Sequence, residues 1–242
     1  MNAYTLIEDA ITVNFDIKNY AVLDLFGVEV WITDTIVSTW IIMGLLIAFA
    51  VIVRIRVRKP QDVPKGFLNV VEALVETFEG YIRTTVGDKL MFLGNWFFTV
   101  FIFVLISNLS GLIPGMRPPT ADWAMTVSLA LVTLGLIQAM GMKYRKGEYI
   151  ASFFKPMFLF FPINFIGELA RPISLSFRLF GNMLAGLIMM SLIYSLFPVF
   201  ARFVVPAALH VYFDVFAGVL QTYIFCTLSL SFISSAAAVA EE

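Results

Sequence analysis

Long apolar runs, each closed by a basic cluster or a turn signal, set the pattern of this chain. The first extends from about Ile36 to Val53 and ends in Arg54, Arg56, Arg58 and Lys59. A second, Phe92 to Leu112, stops at Ile113–Pro114–Gly115. A third, Trp123 to Met142, closes on Lys143, Arg145 and Lys146. Each has roughly the 20 residues that a helix needs to cross a hydrocarbon core. Between the first two, Leu68, Val71, Leu74, Val75, Phe78 and Ile82 recur at helical spacing, opposite Glu72, Glu76, Glu79 and Arg83. Residues 67–86 are therefore predicted to form an amphipathic helix too charged to span. It either lies on the membrane surface or packs as a connector on a partner.

The last third is different. Phe158 to Phe197 is apolar almost throughout, and as one helix of about 40 residues it would be about 60 Å long. That is about twice the hydrocarbon thickness, so the segment must tilt strongly or break. Pro162 and Pro172 permit kinks near its start; nothing from Ile173 to Ser195 forces one. After Pro198, Val204 to Ile233 forms a second long segment, and the short turn makes the two antiparallel neighbours. The polar stretch from Lys146 to Lys155 has room for another surface helix. The expected fold is all-α and polytopic, with about five membrane-embedded helices plus the surface helix. It is read as a single membrane domain over 1–242: an outer segment at 1–34, three spans within 36–142, and a tilted two-helix hairpin at 156–235.

Composition agrees and narrows the classes. The chain is 60% hydrophobic and 14% charged, with a mean hydropathy of +0.90; soluble domains carry about 25% charged residues. The runs are continuously apolar rather than alternating, which excludes a transmembrane barrel. Basic residues at the ends of the first and third spans predict an N-terminus outside and a C-terminus in the cytoplasm. The opening residues lack the pattern of a cleaved signal peptide. A net charge of −1 argues against nucleic acid as a partner. The lone Cys226 and lone His210 leave no disulfide framework or zinc site, so neither a metal nor a cofactor is expected. No nucleotide-binding phosphate loop is present, and no internal repeat of the kind that builds many secondary transporters.

Against that background the charges of the last third stand out. Arg178 cannot lose its proton, and a charge near the bilayer centre costs about 2.5–3.5 kcal/mol even on the lenient insertion scale. It must be paired, hydrated or used. With about 100° per residue and Arg178 at zero, Arg171 falls near +20°, Asn182 near +40°, Ser174 near −40° and Glu168 near +80°. Small residues, Gly181 and Ala185, share that stripe. On the last helix, with Gln221 at zero, Asp214 falls near +20° and His210 near −20°. Two facing polar stripes make a hydrated path or a paired buried network. Plainer readings stand beside this one. Glu168 and Arg171 form an i,i+3 pair, Arg171 snorkels, His210 sits at the interface, and Gln221 with Asn182 serves as interhelical glue.

The run Arg171–Pro172–Ile173–Ser174–Leu175–Ser176–Phe177–Arg178–Leu179–Phe180–Gly181–Asn182–Met183–Leu184–Ala185–Gly186 closely resembles the signature of subunit a of F-type ATP synthase. Gln221–Thr222–Tyr223–Ile224–Phe225–Cys226–Thr227–Leu228 resembles the same family's last helix. The resemblance implies a stator subunit in the Fo sector, beside a c-subunit ring and a subunit b peripheral stalk, within the F1Fo complex. It implies no catalytic site in this chain, a bacterial inner (plasma) membrane or an organelle inner membrane, and transport of H+ or of Na+ as the alternative. The family's essential arginine matches Arg178; its polar neighbours match Arg171, Ser174 and Asn182, and its glutamine matches Gln221. Some members carry a glutamate nine residues after the arginine, where this chain has Leu187, and a histidine where it has Asp214. The acidic group is thus moved to the other helix, which makes Asp214 the expected residue for ion access from outside, with Glu168 and His210 supporting it. A secondary ion transporter and a scaffold with buried polar glue are the competing classes.

Overall fold

The computed structural model describes residues 19–25, 28–57, 66–113, 115–155, 157–196 and 209–237. The expected basic residues Arg58 and Lys59, the loop to Lys65, the turn around Pro198, Pro206 and the terminal Glu241 and Glu242 lie outside the described residues, as does the segment before Asn19.

The described chain begins with two antiparallel strands, β1 (Asn19–Leu25) and β2 (Val28–Thr33), in a register that pairs Val22 with Trp31 and Asp24 with Glu29. The β-branched and aromatic residues of Val28–Glu29–Val30–Trp31–Ile32–Thr33 favour this extended form. The strands are an addition to the expected all-α architecture. β2 leads straight into α1 (Asp34–Val57), with Asp34 in its first turn and Arg54 and Arg56 in its last, both matched to the helix dipole. Only Thr35, Ser38 and Ile42 of α1 are buried.

α2 (Phe67–Val86) is the amphipathic helix. It lies between Gly66 and Gly87, both at positive φ. Its second half faces inward through Phe78, Ile82 and Val86. The Phe78 ring centroid is 5.2 Å from Phe98 and 5.3 Å from Phe101, and Tyr81 Oη is 2.7 Å from Thr227 Oγ1. Phe67, Val70 and Leu74 of its first half are exposed. The helix is therefore docked on its own chain at one end, with a free apolar face at the other.

A 3₁₀ turn (Asp88–Leu93) leads into α3 (Gly94–Leu109). Gly115, at φ 84°, lies in the turn that the sequence signals. Asp122 caps α4 (Trp123–Arg145) by accepting from Ala124 N at 2.9 Å, and its other oxygen accepts from Thr35 Oγ1 at 2.7 Å. One carboxylate thus satisfies an orphan amide at a helix start and pins α1 to α4. A short helix, α5 (Gly147–Ser152), occupies the polar stretch after α4.

α6 (Phe161–Leu196) is a continuous helix of 36 residues with Pro172 inside it. It is about 54 Å long at 1.5 Å per residue. Ends kept at the two faces of a ~30 Å core would require a tilt of about 55°. Pro172 donates no hydrogen bond, so the Glu168 carbonyl lacks its helical partner. A π-helical segment, Val211–Ala217, then opens the final helix, α7 (Gly218–Ala237). α6 and α7 are antiparallel: Arg171 lies over the Phe232 ring at 5.4 Å, while a Cβ at Gly186 would lie 3.5 Å from Phe213 Cβ.

Among the described residues, five stretches are long and apolar enough to span: Asp34–Val57, Asp88–Leu112, Trp123–Arg145, Phe158–Ile193 and Val211–Ala237. α7 is the central one, packed on α2, α3, α4 and α6. Phe225, Leu230 and Ile233 of α7 join Ile82, Phe97, Val104, Ile137 and Leu179 in a contiguous core. Arg54 and Arg56 of α1, with Lys143 and Arg145 of α4, mark one end of the bundle, called the basic end below.

Candidate ion path

Arg178 lies seventeen residues after the start of α6 and eighteen before its end. Leu175, Ser176, Leu179, Met183 and Gly186 turn into the bundle, and Ser176 donates to Thr126 Oγ1 of α4 at 3.2 Å. That anchoring puts Ser174, Phe177, Arg178, Ala185 and Met189 on the exposed face. Beside Arg178, nothing would lie within 4 Å of a Cβ on Gly181, so the surface there is open as well as charged. Among the described residues no carboxylate lies within ion-pair distance of Arg178. Its guanidinium is a cation presented outward from the middle of an apolar helix.

At the end of the bundle opposite the basic end, His210 and Asp214 meet one turn apart, Nδ1 to Oδ2 at 2.5 Å. Asp214 is 7% exposed and sits in the π-helical segment. Such segments shift the helical register and are frequent at functional sites. Its carboxylate lies against Gly111 at the end of α3; a Cβ there would be 3.5 Å from both Cγ and Oδ1. Deeper along α7, Gln221 is buried, with no partner for Nε2. On α6 the half-buried Asn182 likewise has an unpartnered Nδ2. These are polar groups in apolar surroundings with donors to spare.

At the basic end, Arg171 pairs with Glu168, Nη1 to Oε2 at 2.9 Å. Tyr149 of α5 donates its hydroxyl to the other oxygen, Oε1, at 3.2 Å. These residues, with Arg145, Asn164 and Ser235, line an open cavity of about 330 Å³. The expectation that Glu168 supports Asp214 is therefore corrected in its geometry. In an antiparallel pair, residues before Arg178 approach the last turns of α7, and Glu168 lies ten residues before it, roughly 15 Å along the axis. The structure brings together His210 with Asp214, and Glu168 with Arg171, at opposite ends.

Sequence reasoning missed two participants. Asn108 of α3 is fully buried and donates through Nδ2 to Gly218 O and Thr222 Oγ1, each at 3.0 Å; its Oδ1 accepts from Thr120 Oγ1 at 2.7 Å. A polar residue beside Ser107 near the end of an apolar span was its only signal. Tyr149, in a short polar stretch, gave none. Among the described residues no three His, Cys, Asp or Glu side chains gather as metal ligands.

Comparison with known proteins covers nearly all of this architecture. The sequence profile of the family described as ATP synthase A chain matches residues 36–234. The chain is 36% identical over 205 residues to ATP synthase subunit a of Moorella thermoacetica, across 84% of this chain and 90% of the relative. It is 35% identical over 235 residues to the protein named ATP synthase subunit a, sodium ion specific, of Propionigenium modestum, across 87% and 76% respectively. It is 32% identical to ATP synthase subunit a of Acidothermus cellulolyticus, across 94% and 85%. The matched span runs from α1 into the last turns of α7 and contains Arg178 and both polar clusters. The chain belongs to the ATP synthase A chain family, the multi-pass membrane subunit that carries ions through the Fo sector of a rotary ATP synthase.

Proposed function

We propose that the two polar clusters are the mouths of two offset half-channels and that Arg178 is the barrier between them. The outward, carboxylate-free position of Arg178, halfway along α6 between clusters at opposite ends, carries this reading. The occupant of that exposed face is a c-subunit ring, whose carboxylate supplies the missing counter-charge; a subunit b stalk completes the stator. With the basic end in the cytoplasm of a bacterial inner membrane, ions arrive from outside past His210 and Asp214. They neutralise a ring carboxylate, which then rotates through lipid. They leave by the Glu168–Arg171 cavity. Asn182 and Gln221 offer their free amide donors along the way, and Ser174 borders the arginine.

Electrostatics supplies the release step. At ~4 Å and an effective dielectric constant of ~20, Arg178 favours the ionised ring carboxylate by about 4 kcal/mol. That is about a thousandfold in occupancy. The same charge repels a cation that would pass directly between the half-channels. Each charge that crosses gains about 2.3 kcal/mol per 100 mV, which rotation collects. The proton is the assigned ion because the access cluster is an imidazole–carboxylate pair. Such a pair sets one ring nitrogen against one carboxylate oxygen, a contact a proton can bridge, whereas a hard cation is held by oxygen ligands alone.

The test is ion flux through the reconstituted complex under an imposed potential, with proton and sodium gradients varied separately. Arg178→Ala is expected to abolish driven rotation, and Asp214→Asn to slow loading at least tenfold. If both variants conduct and couple like the wild type, or if the isolated chain carries the flux, the half-channel reading is wrong. Flux that follows the sodium gradient would transfer to this chain the specificity named for the Propionigenium relative.

A further inference from the structure

We propose that Tyr149 is a positioning residue at the cytoplasmic exit: its hydroxyl holds the Glu168 carboxylate beside Arg171, facing the exit cavity. The proposal rests on the ion-path reading above and adds to it a residue outside the spans.

The geometry is built for this contact. The Tyr149 side chain is 5% exposed, although it sits on a six-residue surface helix. Its ring lies in a gap left by Gly141 of α4, where a Cβ would stand 2.6 Å from Cε2. Phe153 meets the ring edge to face at 5.3 Å. So held, the hydroxyl reaches Glu168 Oε1 while Arg171 holds Oε2. Tyr149, Phe153 and Glu168 stand between the polar cavity and an apolar groove lined by Leu134, Met142, Phe161 and Phe165, and border both.

The groups that face Glu168 can be named element by element. α6 contributes Arg171, α5 contributes Tyr149 and α4 contributes Arg145; α7 contributes Ser235 and Ala236, which do not titrate. Burial, and then the neighbouring Glu168 charge, pushes the Tyr149 phenol up to about 12. It therefore stays protonated and can donate at every working pH. Tyr149 thus fixes one carboxylate oxygen of Glu168 while Arg171 fixes the other.

The experiment uses the complete complex in liposomes. ATP synthesis is driven by a fixed potential while the pH on the F1 side is stepped, and assembled complex is quantified by immunoblot. Tyr149→Phe keeps the ring over Gly141 and removes only the hydrogen bond. Its profile midpoint is expected to rise by roughly half a pH unit, because a carboxylate deprived of a donor holds its proton more tightly. In a Glu168→Gln background the same substitution should cause no further shift. An unmoved profile, or an equal shift in the Glu168→Gln background, overturns the proposal, as does a drop in assembled complex with the midpoint unchanged. Arg178→Ala, run alongside, separates the two levels. If it still couples, the ion path itself is misassigned; if it is inactive and the Tyr149→Phe profile does not move, only the positioning role fails.

Discussion

Asn108 Nδ2 bonds the carbonyl of Gly218 at 3.0 Å, at the residue where the π-helical segment gives way to regular α-helix. The contact is close enough that a Cβ on Gly218 would lie 3.1 Å from Asn108 Cβ. One buried amide on α3 thus satisfies the backbone at the register change that carries Asp214.

Asn108→Leu is expected to destabilise the subunit. It removes three hydrogen bonds and leaves the Thr120 hydroxyl buried without an acceptor, at about 1–3 kcal/mol for each group left unpaired. Thr120→Val removes one bond and should cost about 1 kcal/mol. Thermal unfolding of the purified membrane sector should rank the midpoints wild type, Thr120→Val, Asn108→Leu; equal midpoints would mean that water replaces the network freely.

Two glycines of α4 should respond oppositely to alanine. Gly135 has nothing within 4 Å of an added Cβ, so Gly135→Ala gains helix propensity worth up to about 1 kcal/mol. Gly141→Ala drives a methyl into the Tyr149 ring at 2.6 Å and should cost about 1–3 kcal/mol as overpacking. Limited proteolysis after Arg145 and Lys146 reports the outcome: faster cutting in Gly141→Ala, slower cutting in Gly135→Ala.

The apolar runs made the spans and the surface helix legible in advance, because each has one dominant period and clear stops. The stripe on α6 was legible too: a straight helix keeps its 100° step, and Ser174 and Arg178 do share the exposed face. On the last helix the same step crosses a π-helical segment, which no residue pattern signalled, so the calculated angles of His210 and Asp214 do not carry over. Yet Asp214, Gly218, Gln221 and Phe225 all face inward. The depth of Glu168 was readable from the antiparallel topology and was misjudged, since a helical wheel gives angle without height. Asn108 and Tyr149 were not readable: Asn108 acts through Thr120, Gly218 and Thr222, and Tyr149 through Glu168, each at least a dozen residues away in the chain.

The Glu168–Arg171 pair should show a coupled loss. The Glu168 side chain is 11% exposed and that of Arg171 38%, so removing the cation strands the less solvated partner. Arg171→Gln alone should lower stability more than Glu168→Gln/Arg171→Gln together, by about 1–2 kcal/mol after allowance for solvent screening. Denaturant midpoints of the four members of the cycle would measure the term directly; additive effects would remove the pair from the energetics.

Alkaline pH provides a further check. The Tyr149 phenol titrates near 12 in the folded chain against an ordinary value near 10, chiefly because burial disfavours the phenolate. A raised folded value means that this contribution to stability is complete below pH 10 and is lost between about 10 and 12. The wild type should therefore lose stability over that window more steeply than Tyr149→Phe. Parallel curves for the two proteins would show that the phenol is solvated.

α1 buries only Thr35, Ser38 and Ile42, all in its first nine residues, with Leu46 partly covered against the core, whereas Leu45, Ile47, Val51, Ile52 and Ile55 lie exposed. Its far end is pinned through Thr35 to Asp122, and its basic end meets the rest of the chain only glancingly, as where Phe49 faces Phe67 at 6.0 Å. The helix is thus a strut hinged at one end, and bilayer thickness rather than side-chain packing sets its slant. A thinner bilayer would lean α1 over while the other four spans kept their mutual fit. The chain therefore contains a rigid body and a pliant arm, and the opening between them can widen or narrow without disturbing Arg178.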